Sequence, residues 1–451
     1  MVLHDLPDEK APLRNRLIAA LLRPFSKVEP SEVVTLVVMT LSAFMLLTAY
    51  YLLKTVREPL ILLQGGAEVK LYARAGQALI MAVFVHFYGE LARRVGRMKL
   101  LLIVFSFFIS NLVVFALLAR TPLQIGLPFF LWVGVFSYTI VAQFWAFAAD
   151  MCSAEQGKRL FPIIGGGSSL GAVVGARLAK TLVPYGPSVL MGTAVAILIG
   201  CAFMIAWAGR RPLTTGAKST AADSEPLSKE GTFQLLFHDK YLMLIAGLVV
   251  FLNWVNSTGE YLLDRTLLVA AGEVAAQGGR ADVYVGAFKA DYFGWYNLIG
   301  VLLQLFAVSR ILKLVGVRNA LFFMPCFALI AYGSAVFLPV LGVMRLVKIG
   351  ENSLQYSLQD TTRHALFLVA SRAEKFVGKT AVDTVAVRLG SIMSATMVYV
   401  GSRLDWSIST FATINVLAAL AWLGFVFAIG KEHARRSNEA EPPAVPEPAR
   451  A

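Results

Sequence analysis

The sequence predicts an all-α membrane protein of about twelve transmembrane helices in two six-helix halves, and three observations carry that prediction. Of its 451 residues, 57% are hydrophobic and 15% charged, where a soluble domain carries about a quarter charged. The apolar residues fall in long runs, on the scale of the roughly 20 residues that cross a bilayer. One polar stretch, "RRPLTTGAKSTAADSEPLSKEGT", divides those runs into two sets.

Residues 1–30 read as a cytoplasmic segment. The apolar patch in "MVLHDLPDEKAPLRNRLIAALLRPFSK" is short, interrupted by Arg23 and followed by no small-residue cleavage site. An interfacial amphipathic helix is expected there in place of a cleaved signal. The N-terminal half, 31–211, holds spans near 33–56, 70–91, 99–119, 124–149, 160–183 and 187–209. A cytoplasmic linker, 212–240, follows. The C-terminal half, 241–430, holds spans near 241–263, 290–312, 319–338, 339–361, 376–400 and 407–430. "GEVAAQGGRADVYVG" reads as a loop or short surface helix, and 431–451 as a disordered tail.

Loop charge sets orientation. Arg93, Arg94, Arg97 and Lys99 follow the second span, Lys158 and Arg159 the fourth, and Arg210 and Arg211 open the linker; the third-to-fourth connection has only Arg120. That asymmetry places both termini in the cytoplasm. It also absorbs much of the net charge of +13, which in a soluble chain would point to nucleic acid; here no nucleic-acid partner is expected. Cys152, Cys201 and Cys326 are scattered and suit neither a disulfide framework nor a metal site. No catalytic set stands in a supporting context, so neither an enzyme nor a cofactor is expected.

"GGGSSLGAVVG" (165–175) lacks a preceding strand and a following Gly-Lys-Ser/Thr, which leaves a phosphate loop a weak reading. Gly167, Gly171 and Gly175 recur every fourth residue and predict a close-packing seam between helices. Trp145 reads as packing.

The functional signal is charge inside the spans, which costs roughly 2.5–3.5 kcal/mol per group near a helix centre on insertion scales. "YYLLKTVREPL" places Lys54 and Arg57 one turn apart; "NWVNSTGEYLLD" places Asn256 and Glu260 at i, i+4. In "MRLVKIGENSLQYSLQD", Arg345, Lys348, Asn352 and Gln355 share a face, with Glu351 beside them. Lys379 and Asp383 pair at i, i+4, and Arg388 points to roughly the opposite side. Lys54, Arg57 and Lys379 have a second reading as snorkelling interface residues, and Lys379–Asp383 as a packing pair. Together these groups predict a mainly cationic cavity that attracts an anion. Asp150, Lys158, Arg159, Asp360 and Arg363, at the ends of spans four, five and ten, are gating candidates.

The halves repeat each other. "LARRVGRMKL" (91–100) is similar to "ILKLVGVRNA" (311–320), Asp150 ends its span as Asp360 does, and Arg177-Leu178 matches Arg388-Leu389. An even-numbered bundle of two parallel halves resembles the major facilitator superfamily (MFS). "GELARRVGRMK" is similar to its loop signature, with Arg93 where Asp is usual.

Longer blocks resemble the ATP/ADP translocase family of the plastid and intracellular-parasite type. "FWAFAADMCSAEQGKRLFPIIGGGSSLG" is similar to its Phe-Trp, acidic, Glu-x-x-Lys-Arg-x-x-Pro segment. "YSLQDTTRHALFLVASRAEKFVGKTAVDTVAVRLG" resembles its Tyr-Ser-Leu-x-Asp run and the Gly-Lys-x-Ala-x-Asp segment after it, and "LLKTVREPL" its first-helix motif. By position, Arg57 falls at the family's first-helix Lys, Glu260 at its seventh-helix Glu and Lys379 at its eleventh-helix Lys. The chain departs at Val377 and Gln355, where exchangers commonly carry Lys, and at His364, where Glu is usual.

The resemblance implies a monomeric secondary transporter of an anionic metabolite, most of all a nucleotide, in the lipid bilayer of a bacterial inner (plasma) membrane. ATP/ADP exchange would proceed by alternating access. Lys54, Arg57, Lys348 and Lys379 would bind the anion; Glu260, Glu351 and Asp383 would hold those cations or carry a proton, and Arg388 would bridge helices. The alternatives are a proton-coupled MFS carrier of another small solute, with Glu260 as proton carrier, and a membrane interaction module that transports nothing.

Overall fold

The computed structural model describes residues 28–210, 239–367 and 382–440, with Lys379 and a few positions before residue 28. The N-terminal amphipathic helix and the linker lie almost wholly outside these residues. Those described are nearly all helical, without a strand among them. Lipid leaves no alternative for a chain with unpaired edges, since a helix satisfies its own backbone groups.

Two compact units form, Met1–Asp223 with Leu268–Asn297, and Ser224–Leu267 with Leu298–Ala451. The first contains α1 (Val33–Arg94), α2 (Arg97–Leu118), α3 (Gly126–Met151), α4 (Ala154–Leu182) and α5 (Pro187–Ala208). α6 (Lys240–Ala276) and α7 (Ala281–Leu302) contribute to both units. The second adds a π-helical turn (Leu303–Ala307), α8 (Val308–Ala320), α9 (Phe323–Phe337) and α10 (Leu341–Leu354). A second π turn (Gln355–Gln359) leads into α11 (Asp360–Leu366), and a third (Val382–Ala386) into α12 (Val387–Arg403), before α13 (Ile408–Ala440).

Among the described residues, eight helical stretches are long and apolar enough to cross a membrane. One of them lies in α1, which covers the first and second expected spans; the shorter helices α9, α10–α11 and α12 overlap the expected ninth, tenth and eleventh. The helix α1 is broken at Gly66, where φ is 81° and ψ 177°, a conformation cheap only for glycine. Gly316, with φ 75°, makes the corresponding break in α8.

α4 lies along α1. A Cβ added at Gly167 would meet the Thr40 carbonyl oxygen at 2.6 Å, one at Gly175 the Thr48 carbonyl at 2.7 Å, and one at Gly171 would run into the Phe44 carbonyl. The expected glycine seam is thus the α1–α4 contact, and the Thr48 hydroxyl donates across it to the Gly171 carbonyl at 3.2 Å. Ser153 and Gln156 close a capping box at the start of α4. In the second unit α12 meets α6 in a like manner: Gly390 abuts the Val250 carbonyl, and Thr258 and Ser394 share a 3.0 Å hydrogen bond. Large apolar side chains such as Phe203, Ile330 and Phe337 point outward, as lipid requires.

Two boundaries and one side-chain spacing differ from the sequence expectation. α7 begins at Ala281, well before 290, and with the end of α6 it takes up most of the stretch read as a loop or short surface helix. α13 continues to Ala440, past the boundary at 430, because Arg436 pairs with Asp239 at 2.7 Å and Arg435 with Glu432; residues 441–451 of the expected tail lie outside the described residues. Asp383 sits in a π turn, so helical spacing did not fix its partner.

Candidate binding site

In the first unit the charged residues of α1 cluster. Lys54 donates to the Tyr296 hydroxyl at 2.7 Å, and its ammonium stands 4.7 Å from the Phe293 ring, 5.1 Å from Tyr51 and 5.4 Å from Tyr296. The Tyr51 hydroxyl donates to Asn297 at 3.0 Å, fixing the wall of this aromatic cage. Cation–π contact of this kind stabilises a desolvated ammonium by about 2 kcal/mol, so Lys54 is held inward and does not snorkel. Arg57 lies 4.7 Å from the Phe130 ring and pairs with Glu58 at 3.1 Å. Glu58 also accepts from Lys70 and faces Lys289 at 3.7 Å.

In the second unit Lys348 is 0% and Glu351 1% exposed. Lys348 donates to Glu351 Oε2 at 2.7 Å and to the Asn256 carbonyl at 3.1 Å, while the Tyr332 hydroxyl donates to the same carboxylate oxygen at 2.6 Å. Asn256 donates from its side chain to Asn352 at 3.0 Å and Gln355 at 2.8 Å. The expected polar face of α10 therefore packs against α6. Glu260 is partly buried one turn beyond Asn256, and Asp264, a further turn on, is 1% exposed.

At the far end of the tenth span, Arg363 pairs with Asp383 at 2.9 Å and stands 3.6 Å from Asp360. These three expected residues come together. The Lys379–Asp383 pair expected from spacing does not form among the described residues; Arg363 takes its place. Lys379 and Arg388 are both partly buried, and no ion pair to Arg388 forms among the described residues.

The remaining gating candidates lie elsewhere in the first unit. Asp150 and Lys158 are exposed, and Arg159 pairs at 3.0 Å with Glu32, a carboxylate that also accepts from Gln156. Arg177 and Lys180 of α4 both pair with Asp291 of α7, at 3.1 and 2.9 Å.

Sequence reasoning missed Glu58, Lys70, Lys289, Asp264 and Tyr332. Lys70 stands at the edge of the expected second span and Lys289 just outside the expected eighth, yet both are buried in helices. Asp264 carried a usable signal, its i, i+4 spacing from Glu260 on an apolar helix.

A family profile described as TLC ATP/ADP transporter matches residues 14–123 and 310–433. The ADP,ATP carrier protein 1 of Chlamydia trachomatis is 24% identical over 56% of this chain and 54% of its own, so the chain spans about half the length of that relative. The ADP,ATP carrier protein 2 of the same organism is 23% identical over 88% of each chain, and the ADP,ATP carrier protein 4 of Rickettsia conorii 21% identical over 89% of this chain and 92% of its own. Among solved structures, the nucleoside transporter NupG aligns over 89% of this chain and 99% of its own with TM-score 0.61 and 11% identity. A D-xylose-proton symporter aligns over 86% and 97%, with TM-score 0.58 and 13% identity. These two likenesses concern the fold, which is the MFS-like one expected. With more than half of its length matched in both halves, the chain belongs to the TLC ATP/ADP transporter family.

Proposed function

We propose that this chain exchanges adenine nucleotides, ATP for ADP, across a bacterial inner membrane by alternating access, as a monomer with both termini in the cytoplasm. The observation that carries the reading is a pair of cation sets inside spanning helices: the partly buried Lys54 and Arg57 with their partners in the first unit, and the buried Lys348 with Glu351 in the second. Buried ion pairs are poor stabilisers, and membrane helices keep them where they handle charge. Lys54, Arg57, Lys348 and Lys379 bind phosphates in this reading. Glu260, Glu351 and Asp383 balance the cations when no substrate is bound, and Arg388 bridges helices. Asp150, Lys158, Arg159, Asp360 and Arg363 break and remake contacts as the halves rock.

Proteoliposomes decide the matter. Wild-type vesicles loaded with ADP are expected to take up labelled ATP, unloaded vesicles far less, and Lys379→Ala vesicles none. Absence of uptake for every nucleotide, or uptake driven by a pH gradient without internal nucleotide, would overturn the reading.

A further inference from the structure

Three short segments of the second unit are wound as π helix, and the first unit has none among the described residues. A π turn is rare, and it marks a place where a helix has taken in an extra residue and lost its regular bonding. Two of the three interrupt continuous helices: Leu303–Ala307 lies between α7 and α8, and Gln355–Gln359 between α10 and α11. These two turns pack against each other. Just before them the helices touch, where a Cβ on Gly300 would stand 3.7 Å from the Ser353 carbonyl oxygen.

The backbone around the turns is loosened. Ser353, Ser357, Thr361 and Thr362 each donate a hydroxyl to the carbonyl four residues back, at 2.6 to 2.8 Å, a bond that weakens and bends a helix. Gln359 is 1% exposed, yet its Nε2 has no hydrogen-bond partner. An orphaned buried donor costs stability, so this segment is not built for rigidity. Beyond the turns, α8 and α11 pack on each other and share a small apolar core of their own. Val308, Ala320 and Leu358 are its buried members, with Ile311, Leu312 and Val315 against them.

This lobe carries Arg363, which reaches Asp383 in the third π turn at 2.9 Å. Asp383 is exposed, and an exposed ion pair is cheap to break and remake. The lobe is also tied by the Tyr241 hydroxyl, which donates to the Leu366 carbonyl at 2.9 Å, and by Arg318 against Gly430. We propose that α8 and α11 swing as one lid about the paired π turns, with Arg363–Asp383 as its latch. The inference rests on the alternating-access reading and adds to it a moving part inside the second unit. Rocking of rigid halves leaves each half unchanged, whereas the lid changes the shape of one half. A π turn bends by trading its wide bonds for ordinary helical ones, so the lid moves without unwinding.

The test places spin labels on the full-length protein with Cys152, Cys201 and Cys326 replaced by Ser: Leu314→Cys on the lid and Ile330→Cys on α9, both exposed. Pulsed EPR is expected to give one distance in the latched protein. Adding Arg363→Gln is expected to bring in a second distance, displaced by about 5 Å, one helical turn. Deleting Tyr356, an exposed residue of the second π turn, takes out the extra residue and is expected to return the pair to one distance. In ADP-loaded vesicles the deletion alone is expected to keep ATP affinity within about twofold of wild type and to slow exchange about tenfold. A single unchanged distance in Arg363→Gln overturns the proposal, and that measurement decides alone where the deletion fails to fold. Exchange at the wild-type rate in the deletion overturns it too. If the wild type takes up no nucleotide while Arg363→Gln adds the second distance, the nucleotide reading falls and the lid stands. No uptake together with one fixed distance overturns both.

Discussion

Lys348 and Glu351 show what a single pair carries. Both are buried, and Glu351 takes the Lys348 ammonium and the Tyr332 hydroxyl on one oxygen. Removing the lysine alone leaves a buried carboxylate without its counter-charge, at a cost of about 3–5 kcal/mol. Lys348→Met is therefore expected to lower the melting temperature in detergent markedly. Lys348→Met combined with Glu351→Gln should recover most of the loss, since the amide oxygen still accepts from Tyr332; a double variant no better than the single would refute the pairing. Lys348 was legible in the sequence because it lies in mid-span, where any charge stands out. Lys289 was not. Asp282, Lys289 and Asp291 make the start of α7 polar, so a hydropathy window discards the turns that carry the lysine. The partner of Asp383 was misread because a π turn shifts the side-chain spacing that the i, i+4 rule assumes.

At the scale of the element, the glycine seam was fully legible: a four-residue repeat of glycine on an apolar helix leaves a groove that only another backbone fills. The structure supplies the partner, α1, through the Thr40, Phe44 and Thr48 carbonyls. Gly171→Ala drives its methyl into the Phe44 carbonyl, and overpacking of this sort costs about 1–3 kcal/mol. Gly166, in the same helix, has nothing within 4 Å of its added Cβ, so Gly166→Ala should be neutral or stabilise by up to about 1 kcal/mol through helix propensity. Thermal melts of the two variants check this, and equal behaviour would mean that the seam does not set the α1–α4 distance. Helix breaks were harder to foresee. Gly66 and Gly316 adopt positive φ while many other glycines sit in regular helix, and composition does not separate the two kinds.

Over the whole molecule, the internal repeat seen in short sequence echoes reappears as repeated packing. α4 meets α1 through glycines and the Thr48 hydroxyl, and α12 meets α6 through Gly390 and the Thr258–Ser394 bond. Apolar runs and repeats made that architecture readable, because lipid enforces helices and leaves their number and order to hydropathy. Orientation rests on a different force. Arginine and lysine resist translocation, and Arg93, Arg94, Lys99, Lys158 and Arg159 crowd two connections while Arg120 stands alone in a third. Leu123, in that third connection, is 57% exposed, and Glu155 at the start of α4 is exposed as well. With Cys152, Cys201 and Cys326 replaced by Ser, Leu123→Cys should react with a membrane-impermeant maleimide in intact cells, and Glu155→Cys only after permeabilisation. The opposite pattern would invert the carrier. Inversion matters to the proposed exchange: ATP for ADP would move one charge per cycle, worth about 2.3 kcal/mol per 100 mV. In such an exchange the membrane potential would favour one direction, and the side on which the basic loops lie would tell which face meets which nucleotide pool.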